Sequence, residues 1–308
     1  MRFSRRDLLR IAAGTSASLM AGWRPVFALS TSDLILRTIP STGEQVPAIG
    51  LGGRNYRAGP SAEERAPFHD TIATFVRLGG KVIDTAPSYG NSEEMIGGFL
   101  AELRARDRVF LASKVDRSDP AATRAQVGEA LKNLRTERLD LMQVHNLTAI
   151  PSNMALLREL KAEGIIRYHG ITTGSDRQYP ALAEAMEQEK PDFVQLDYAL
   201  DNREAADRLL PLARERGIAV LVNLPFGRGR LFRAVGEQAL PGWAAEIGCR
   251  SWAQVFLKYV ISHPAVTAVI PGTTKPHHAE DNIGAGMGPL PDAAMRQRME
   301  AFADALPG

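Results

Sequence analysis

Four polar residues with complementary chemistry lie in the first half of the sequence: Asp84, Tyr89, Lys114 and His145. Reduction of a carbonyl group by hydride leaves an alkoxide, which must receive a proton as it forms. A tyrosine keeps its proton at neutral pH and can deliver it, and the ammonium group of Lys114 would favour the phenolate that remains. Asp84 offers the counter-ion that a buried lysine needs, and His145 can donate a hydrogen bond that orients the carbonyl oxygen. Each residue alone also has a structural explanation, as a turn cap, a packed ring or a surface charge.

The predicted strands bring these residues together. From Ala48 onward, eight short β-branched runs alternate with segments whose apolar residues recur at helical spacing. Asp84, Lys114 and His145 lie at or near the carboxyl ends of the second, third and fourth runs, and Tyr89 follows Asp84 by five residues. Neighbouring strands lie about 4.8 Å apart, so side chains at three successive strand ends converge. The runs are AIGLGG, KVIDTA, VFLASKV, LDLMQVH, YHGITT, FVQLDYA, IAVLVNL and VTAVIPG.

The strict alternation predicts an α/β protein, a (β/α)8 TIM barrel whose active site lies at the carboxyl ends of the strands. A doubly wound open sheet is the alternative, but no G-x-G-x-x-G turn follows the first run. Two extended runs around the turn at 41–44 predict an N-terminal β-hairpin at the barrel floor. Residues 228–248 must form an extra loop or short helix before the eighth strand. Helices are predicted around 71–78, 122–134, 154–160, 181–186 and 205–213.

Composition places the 308-residue chain among globular proteins, with 44% hydrophobic and 23% charged residues. The single cysteine, Cys249, excludes an internal disulfide framework. Residues 1–28 hold five of the 37 basic residues and one of the 35 acidic residues, which leaves 32 against 34 in residues 29–308. Because that remainder is slightly acidic, nucleic acid is not an expected partner.

The first 28 residues have the pattern of a targeting segment. Arg2, Arg5, Arg6 and Arg10 precede or flank a mildly apolar stretch at 11–22, which is shorter than a membrane span. The run SRRDLL resembles a twin-arginine export signal, and cleavage is expected after Ala28. Residues 1–28 are therefore predicted to be a signal peptide read by the twin-arginine export machinery, and 29–308 a single barrel domain that is periplasmic or otherwise exported. A basic disordered terminus and a retained membrane anchor are the alternatives.

Three segments, GGKVIDTAPSYGNSEEMIG, VFLASKV and LDLMQVHN, resemble the active-site segments of the aldo-keto reductase family. GLGG at 50–53, Gln195 and IPGTTKPHHAEDN at 270–282 follow in the family's order, and the resemblance runs from about Leu34 to the end of the chain. It implies a barrel that binds NADPH, or less often NADH, across the strand ends. It also implies reduction of an aldehyde or ketone to an alcohol, with Tyr89 as general acid and with Lys114, His145 and Asp84 supporting it.

The expected cofactor site combines the resemblance with the tendency of such barrels to bind phosphate after strands seven and eight. Pro276 marks a helix start whose free N–H groups favour a phosphate. Cofactor-binding residues are predicted to be Gly53, Arg54, Asp84, Thr172, Thr173, Gln195, Asn223, Phe226, Arg228, Gly272, Thr273, Lys275, His278 and Asn282.

Departures from the family pattern fall in that same set. Gly272 and His278 stand where lysine and arginine often bind the adenosine 2′-phosphate, so NADPH is expected with NADH left open. Thr172 and Thr173 replace the Ser-Asn pair that holds the nicotinamide amide in many members. Asn223 replaces the aromatic residue that stacks on the nicotinamide, so a looser grip on the ring is expected.

Other functions stay open at this point. A nicotinamide-binding sensor or partner-binding module, or a tightly held cofactor that cycles between two substrates, would fit an exported protein. A metal hydrolase is disfavoured because the histidines lack ligand spacing, and no metal is expected. For a small carbonyl substrate, the pocket is expected at Gly52 to Pro60, Asn146 to Pro151 and Gly229 to Trp243. Phe226, Phe232 and Trp243 would form an apolar wall if they face inward, which the sequence does not decide. The substrate and the oligomeric state are not indicated by the sequence.

Overall fold

Eight parallel strands surround a single axis, as the sequence predicts, in a computed structural model that describes residues 33–59 and 61–306. The predicted signal at 1–28 lies outside these residues. Each barrel strand pairs in parallel with the next along the chain. The strands are β3 (Leu51–Gly52), β4 (Val82–Asp84), β5 (Phe110–Val115), β6 (Leu139–His145), β7 (Ile166–Thr172), β8 (Phe193–Asp197), β9 (Ala219–Asn223) and β10 (Ala268–Val269).

Backbone hydrogen bonds join the first and last barrel strands. The Gly50 N–H donates to the Val269 carbonyl at 2.8 Å, and the Gly52 N–H donates to the Pro271 carbonyl at 3.0 Å. The ladder therefore continues around the barrel, and the open-sheet alternative is wrong.

Helices cover the outside of the barrel, and several begin with side-chain caps that the sequence encodes. Ser61 and Glu64 form a capping box at the first helix, and Asp119, followed by Pro120, caps the third. The helices are α1 (Ala62–Arg77), α2 (Ser92–Glu102), α3 (Pro120–Asn133), α4 (Ile150–Ala162), α5 (Tyr179–Glu189), α6 (Leu209–Arg216), α7 (Arg230–Val235), α8 (Trp252–Ile261), α9 (Pro276–Ala285) and α10 (Ala293–Asp304).

The helix predicted at 205–213 is wrong in its boundaries. A single 3-10 turn spans Glu204–Ala206, and α6 begins only at Leu209. Arg208, with φ −135° and ψ −49°, leaves the helical region between them. The extra segment predicted before β10 is present as α7 and a 3-10 turn at Gly242–Ala244.

An antiparallel hairpin precedes the barrel, formed by β1 (Leu36–Thr38) and β2 (Gln45–Pro47). Ile39 and Val46 are buried in a cluster of side chains from the barrel strands, which includes Phe110, Tyr168 and Phe193. The hairpin thus closes the floor, opposite the strand ends where the site is expected.

Polar contacts fix the hairpin to β7. Thr42 Oγ1 and the Tyr168 hydroxyl are 2.7 Å apart, and Glu44 forms an ion pair with Arg167. Within the described part of the chain, no helix is both long and apolar enough to cross a bilayer.

Candidate active site

A buried ion pair joins the ends of β4 and β5. Lys114 Nζ donates to Asp84 Oδ2 at 2.6 Å and to the Thr85 carbonyl at 2.7 Å. Gln143 Nε2 donates to the other carboxylate oxygen of Asp84 at 3.1 Å. Lys114 is 1% exposed and Asp84 3%, so both charges depend on each other for stabilisation. The arrangement fixes an ammonium group in the barrel wall.

Tyr89 and His145 lie on the cavity side of this pair. The Lys114 ammonium is 5.3 Å from the centre of the Tyr89 ring, and the Tyr89 and His145 rings meet edge to face with centroids 6.2 Å apart. Burial, and next the positive charge of Lys114, lower the pKa of His145 to about 4. His145 is therefore neutral at pH 7 and can act as a hydrogen-bond donor to a neutral ligand atom.

All four predicted catalytic residues line one cavity of about 1180 Å³ at the carboxyl ends of the strands. A cavity of that size can hold a dinucleotide and a small second ligand. The predicted cofactor residues that also line it are Gly53, Arg54, Asp84, Thr172, Gln195, Asn223, Phe226, Arg228 and Gly272.

The remaining predicted cofactor residues do not line the cavity. Thr173 is fully buried, and its hydroxyl bonds to Gln178. Thr273 Oγ1 accepts from the Lys275 N–H at 3.2 Å, which shapes the start of α9. Asn282 is buried within α9, at 5% exposure.

The start of α9 offers donors for an anion. Lys275 is its N-cap residue, but the Lys275 side chain makes no capping hydrogen bond to the helix. Pro276 takes the first helical position. His278 follows in the first turn, where burial, and next His277, lower its pKa. These residues follow Gly272, the last of the lining residues along the chain, and the free N–H groups of a helix start can bind an anion.

The wall across β7, β8 and β9 carries amide and hydroxyl groups suited to a carboxamide. Thr172 Oγ1 donates to Gln195 Oε1 at 2.8 Å, which leaves the Gln195 amide nitrogen available. Asn223 Nδ2 donates to the Thr173 carbonyl at 3.1 Å, and its Oδ1 is buried without a partner among the described residues. A Cβ at Gly272 would enter open space, with only the Gly52 carbonyl near it, at 3.6 Å. These residues fit a nicotinamide cofactor.

Comparison with known proteins decides the family. The model of the Aldo/keto reductase family matches residues 48–302. The chain belongs to the aldo/keto reductase family. It is 26% identical to the NADH-specific methylglyoxal reductase of Escherichia coli (strain K12), over 87% of this chain and 99% of the relative. It is 29% identical to the methylglyoxal reductase YeaE of the same strain, over 75% of this chain and 83% of the relative.

A solved structure of another family member has the same fold. The aldo-keto reductase from Klebsiella pneumoniae in complex with NADPH aligns with a TM-score of 0.75 and 27% identity, covering 88% of this chain and 95% of its own.

Sequence reasoning missed several polar residues of this aldo/keto reductase site. Gln143, which holds Asp84, is two residues before His145 on β6 and therefore faces the same side, so period-two alternation could have identified it. Arg177 also lines the cavity, from the 3-10 turn after β7. Its direction depends on loop geometry, for which the sequence carries no comparable signal.

Of the three rings that could form an apolar wall, two do not line the cavity. Phe226 lines the cavity, whereas Phe232 is 40% exposed and packs on Phe226 and Phe256. Trp243 is buried against Phe302 of α10. The extra segment turns these rings toward the outer helices, because α8 and α10 offer apolar surface there.

Within 33–59 and 61–306, no group of three or more histidine, cysteine, aspartate or glutamate side chains is arranged to hold an ion.

Proposed function

We propose that this aldo/keto reductase uses NAD(P)H to reduce an aldehyde or ketone to an alcohol, with Tyr89 as the general acid. The observation that carries the proposal is the buried Lys114–Asp84 pair beside Tyr89 and a neutral His145, all facing one cavity. The relatives named as methylglyoxal reductases and the NADPH-bound neighbour agree with this chemistry.

Each residue has a defined part in the reaction. The reduced nicotinamide, when bound, supplies the hydride. Tyr89 donates its hydroxyl proton to the carbonyl oxygen as negative charge develops there. The Lys114 ammonium, 5.3 Å from the phenol ring, stabilises the phenolate that remains. Asp84 pairs with Lys114 and holds it in place, and neutral His145 donates a hydrogen bond that orients the carbonyl.

The chain's own groups define where the cofactor would be held. The amide of Gln195, the Thr172 hydroxyl and the orphan Oδ1 of Asn223 suit the nicotinamide carboxamide. Arg228 and the start of α9 at Lys275 suit the phosphates.

NADPH is the proposed cofactor, because Lys275 and Thr273 can compensate for the missing lysine and arginine at 272 and 278. The NADPH-bound neighbour agrees with NADPH, and the relative named NADH-specific favours the alternative. Fluorescence titration of the purified protein with both reduced cofactors decides between them. Tighter binding of NADH would overturn the preference.

The central test compares wild type with Tyr89→Phe, which removes only the hydroxyl. NAD(P)H oxidation is measured with an aldehyde panel that includes methylglyoxal. We expect the variant to lose about 10²- to 10⁴-fold in kcat, while its Kd for the reduced cofactor stays unchanged. A wild-type protein that binds the cofactor but oxidises none of it would instead support the sensor or partner-binding module.

We also propose that the chain is exported by the twin-arginine machinery. The support is the SRRDLL run followed by a short, weakly apolar stretch. Conservative replacement of both arginines, Arg5→Lys with Arg6→Lys, is expected to retain the protein in the cytoplasm in cell fractionation. Unchanged distribution of the double variant would contradict export by this route.

A further inference from the structure

The cavity carries an unbalanced set of positive charges. Four arginines line it, namely Arg54, Arg57, Arg177 and Arg228. In residues 33–59 and 61–306, none of the four forms an ion pair with a carboxylate. Asp84 also lines the cavity, but Lys114 already neutralises it. This excess of positive charge favours anionic ligands in the cavity.

The four arginines come from three loops at the carboxyl ends of the strands: Arg54 and Arg57 after β3, Arg177 after β7 and Arg228 after β9. Arg228 follows β9, on the side where barrels of this kind bind phosphate, and is suited to the cofactor. Arg54 and Arg57 follow β3, on the loop that contacts the Tyr89 segment. The Arg54 charge is close enough to contribute to the lowered pKa of His145, after burial and Lys114. Arg54 therefore lies near His145, and Arg57 contacts the Tyr89 segment, so both border the part of the cavity that holds the predicted catalytic residues.

The loop that carries Arg54 and Arg57 is held in position. Between them, Tyr56 is fully buried and packs edge to face on Phe68, with ring centroids 5.5 Å apart. Three hydrogen bonds join the loop to the segment around the general acid: Arg57 Nε to the Tyr89 carbonyl at 3.1 Å, Asn91 Nδ2 to the Ala58 carbonyl at 3.0 Å, and Ser92 Oγ to the Gly53 carbonyl at 2.8 Å. The loop backbone and the Nε of Arg57 are thus fixed relative to the Tyr89 segment, while Arg54 extends from the same loop into the cavity.

We propose that Arg54 and Arg57 form an anion-binding subsite beside Tyr89, so that the preferred substrate is an aldehyde or ketone that carries a carboxylate. Guanidinium groups match the geometry of a carboxylate and bind it with two parallel hydrogen bonds. Both side chains are exposed at the mouth, so the attraction weakens as ionic strength rises. The inference rests on the proposed reductase function and assigns the substrate class of the same site.

The kinetic test uses two aldehydes of nearly equal shape, 4-carboxybenzaldehyde and the neutral 4-formylbenzamide. We expect wild type to prefer the carboxylate in kcat/KM, and we expect that ratio to fall about tenfold in Arg54→Gln and in Arg57→Gln. Raising KCl should lower the wild-type ratio in the same direction. Arg208→Gln, which removes an exposed arginine paired with Glu187, serves as the matched control and should leave the ratio unchanged.

A binding test separates this inference from the reductase function. Calorimetric titration of the cofactor-loaded protein compares benzoate with benzamide in wild type and in Arg54→Gln. Tighter binding of benzoate that depends on Arg54 supports the subsite, even if no aldehyde is reduced and the proposed function fails.

Three results would overturn the subsite while leaving the reductase function intact. The first is turnover of both aldehydes with a ratio near one in wild type. The second is equal affinity for benzoate and benzamide. The third is weaker NADPH binding in Arg54→Gln with benzoate affinity unchanged, which would assign Arg54 to the cofactor.

Discussion

Replacement of Lys114 by methionine tests how the buried ion pair contributes to both stability and chemistry. Methionine preserves much of the length of the lysine side chain and removes the ammonium. The change leaves the Asp84 carboxylate, 3% exposed, with the Gln143 amide at 3.1 Å but without its 2.6 Å partner. In this variant the Asp84 carboxylate stays buried without a neutralising charge beside it.

The expected cost follows from that geometry. Removing one partner of a buried pair destabilises a protein by about 3–5 kcal/mol, because the other charge is left uncompensated. For a domain of this size, that corresponds to a fall in Tm of about 10 °C. Lys114→Met combined with Asp84→Asn removes both charges and retains an acceptor for Gln143. We expect the double variant to recover more than half of the lost stability.

The single and double variants should differ in stability but be equally impaired in activity. Both lack the ammonium beside Tyr89, so both should lose most of kcat even where the double variant is stable. Urea denaturation followed by circular dichroism gives the free energies of unfolding, and NAD(P)H oxidation gives kcat. The reasoning is refuted if Lys114→Met is as stable as wild type, or if adding Asp84→Asn restores no stability.

Three further outcomes follow from the described contacts. The pKa of His145 is about 4. The acid limb of kcat/KM that depends on His145 should therefore lie near pH 4 for a neutral aldehyde. An NMR titration that gives the His145 ring a pKa near 6.5 would refute the assignment. Burial raises the pKa of Asp197 to about 6, above its value of about 4 in an unfolded chain. The folded state therefore holds this proton more tightly, and the unfolding free energy should fall by about 1–2 kcal/mol as pH rises from 4 to 6. Asp197→Asn should remove that pH-dependent component in urea denaturation. An identical pH dependence in the variant would contradict the role of Asp197. Gly97→Ala should destabilise by about 1–3 kcal/mol, because its Cβ would lie 2.3 Å from the Asn133 carbonyl between α2 and α3. Gly128→Ala, in α3 with open space around it, should instead stabilise by about 0.5–1 kcal/mol. A lower Tm for Gly128→Ala than for Gly97→Ala would contradict the described packing of α2 and α3.

The barrel and the catalytic residues could be predicted because their signals are local. The barrel strands are short, largely buried apolar runs, and Lys114 and His145 lie at or next to the carboxyl ends of two of them. Convergence of these side chains then follows from parallel pairing alone, since Lys114 and Gln143 are register partners on β5 and β6.

Features that depend on tertiary packing could not be predicted in the same way. Whether Phe232 and Trp243 face the cavity depends on where α7 packs. Their rings can be buried as well against the outer helices as against the cavity, so their hydrophobicity does not decide the direction. The break before α6 depends on the backbone of a single residue, Arg208. The positive charge of the cavity could not be predicted either. Arg57 and Arg177 come from separate loops, and only the fold brings them to the same cavity.

The hairpin at the barrel floor has a consequence for the order of folding. Glu44 and its partner Arg167 are 123 positions apart, so at ordinary synthesis rates the hairpin emerges roughly 6–25 s before its docking surface exists. A two-stranded hairpin is marginally stable alone, so we expect the hairpin to dock late, after β7 has joined the barrel. Substitutions at Ile39 or Val46 should therefore accelerate unfolding while leaving the rate of barrel formation nearly unchanged.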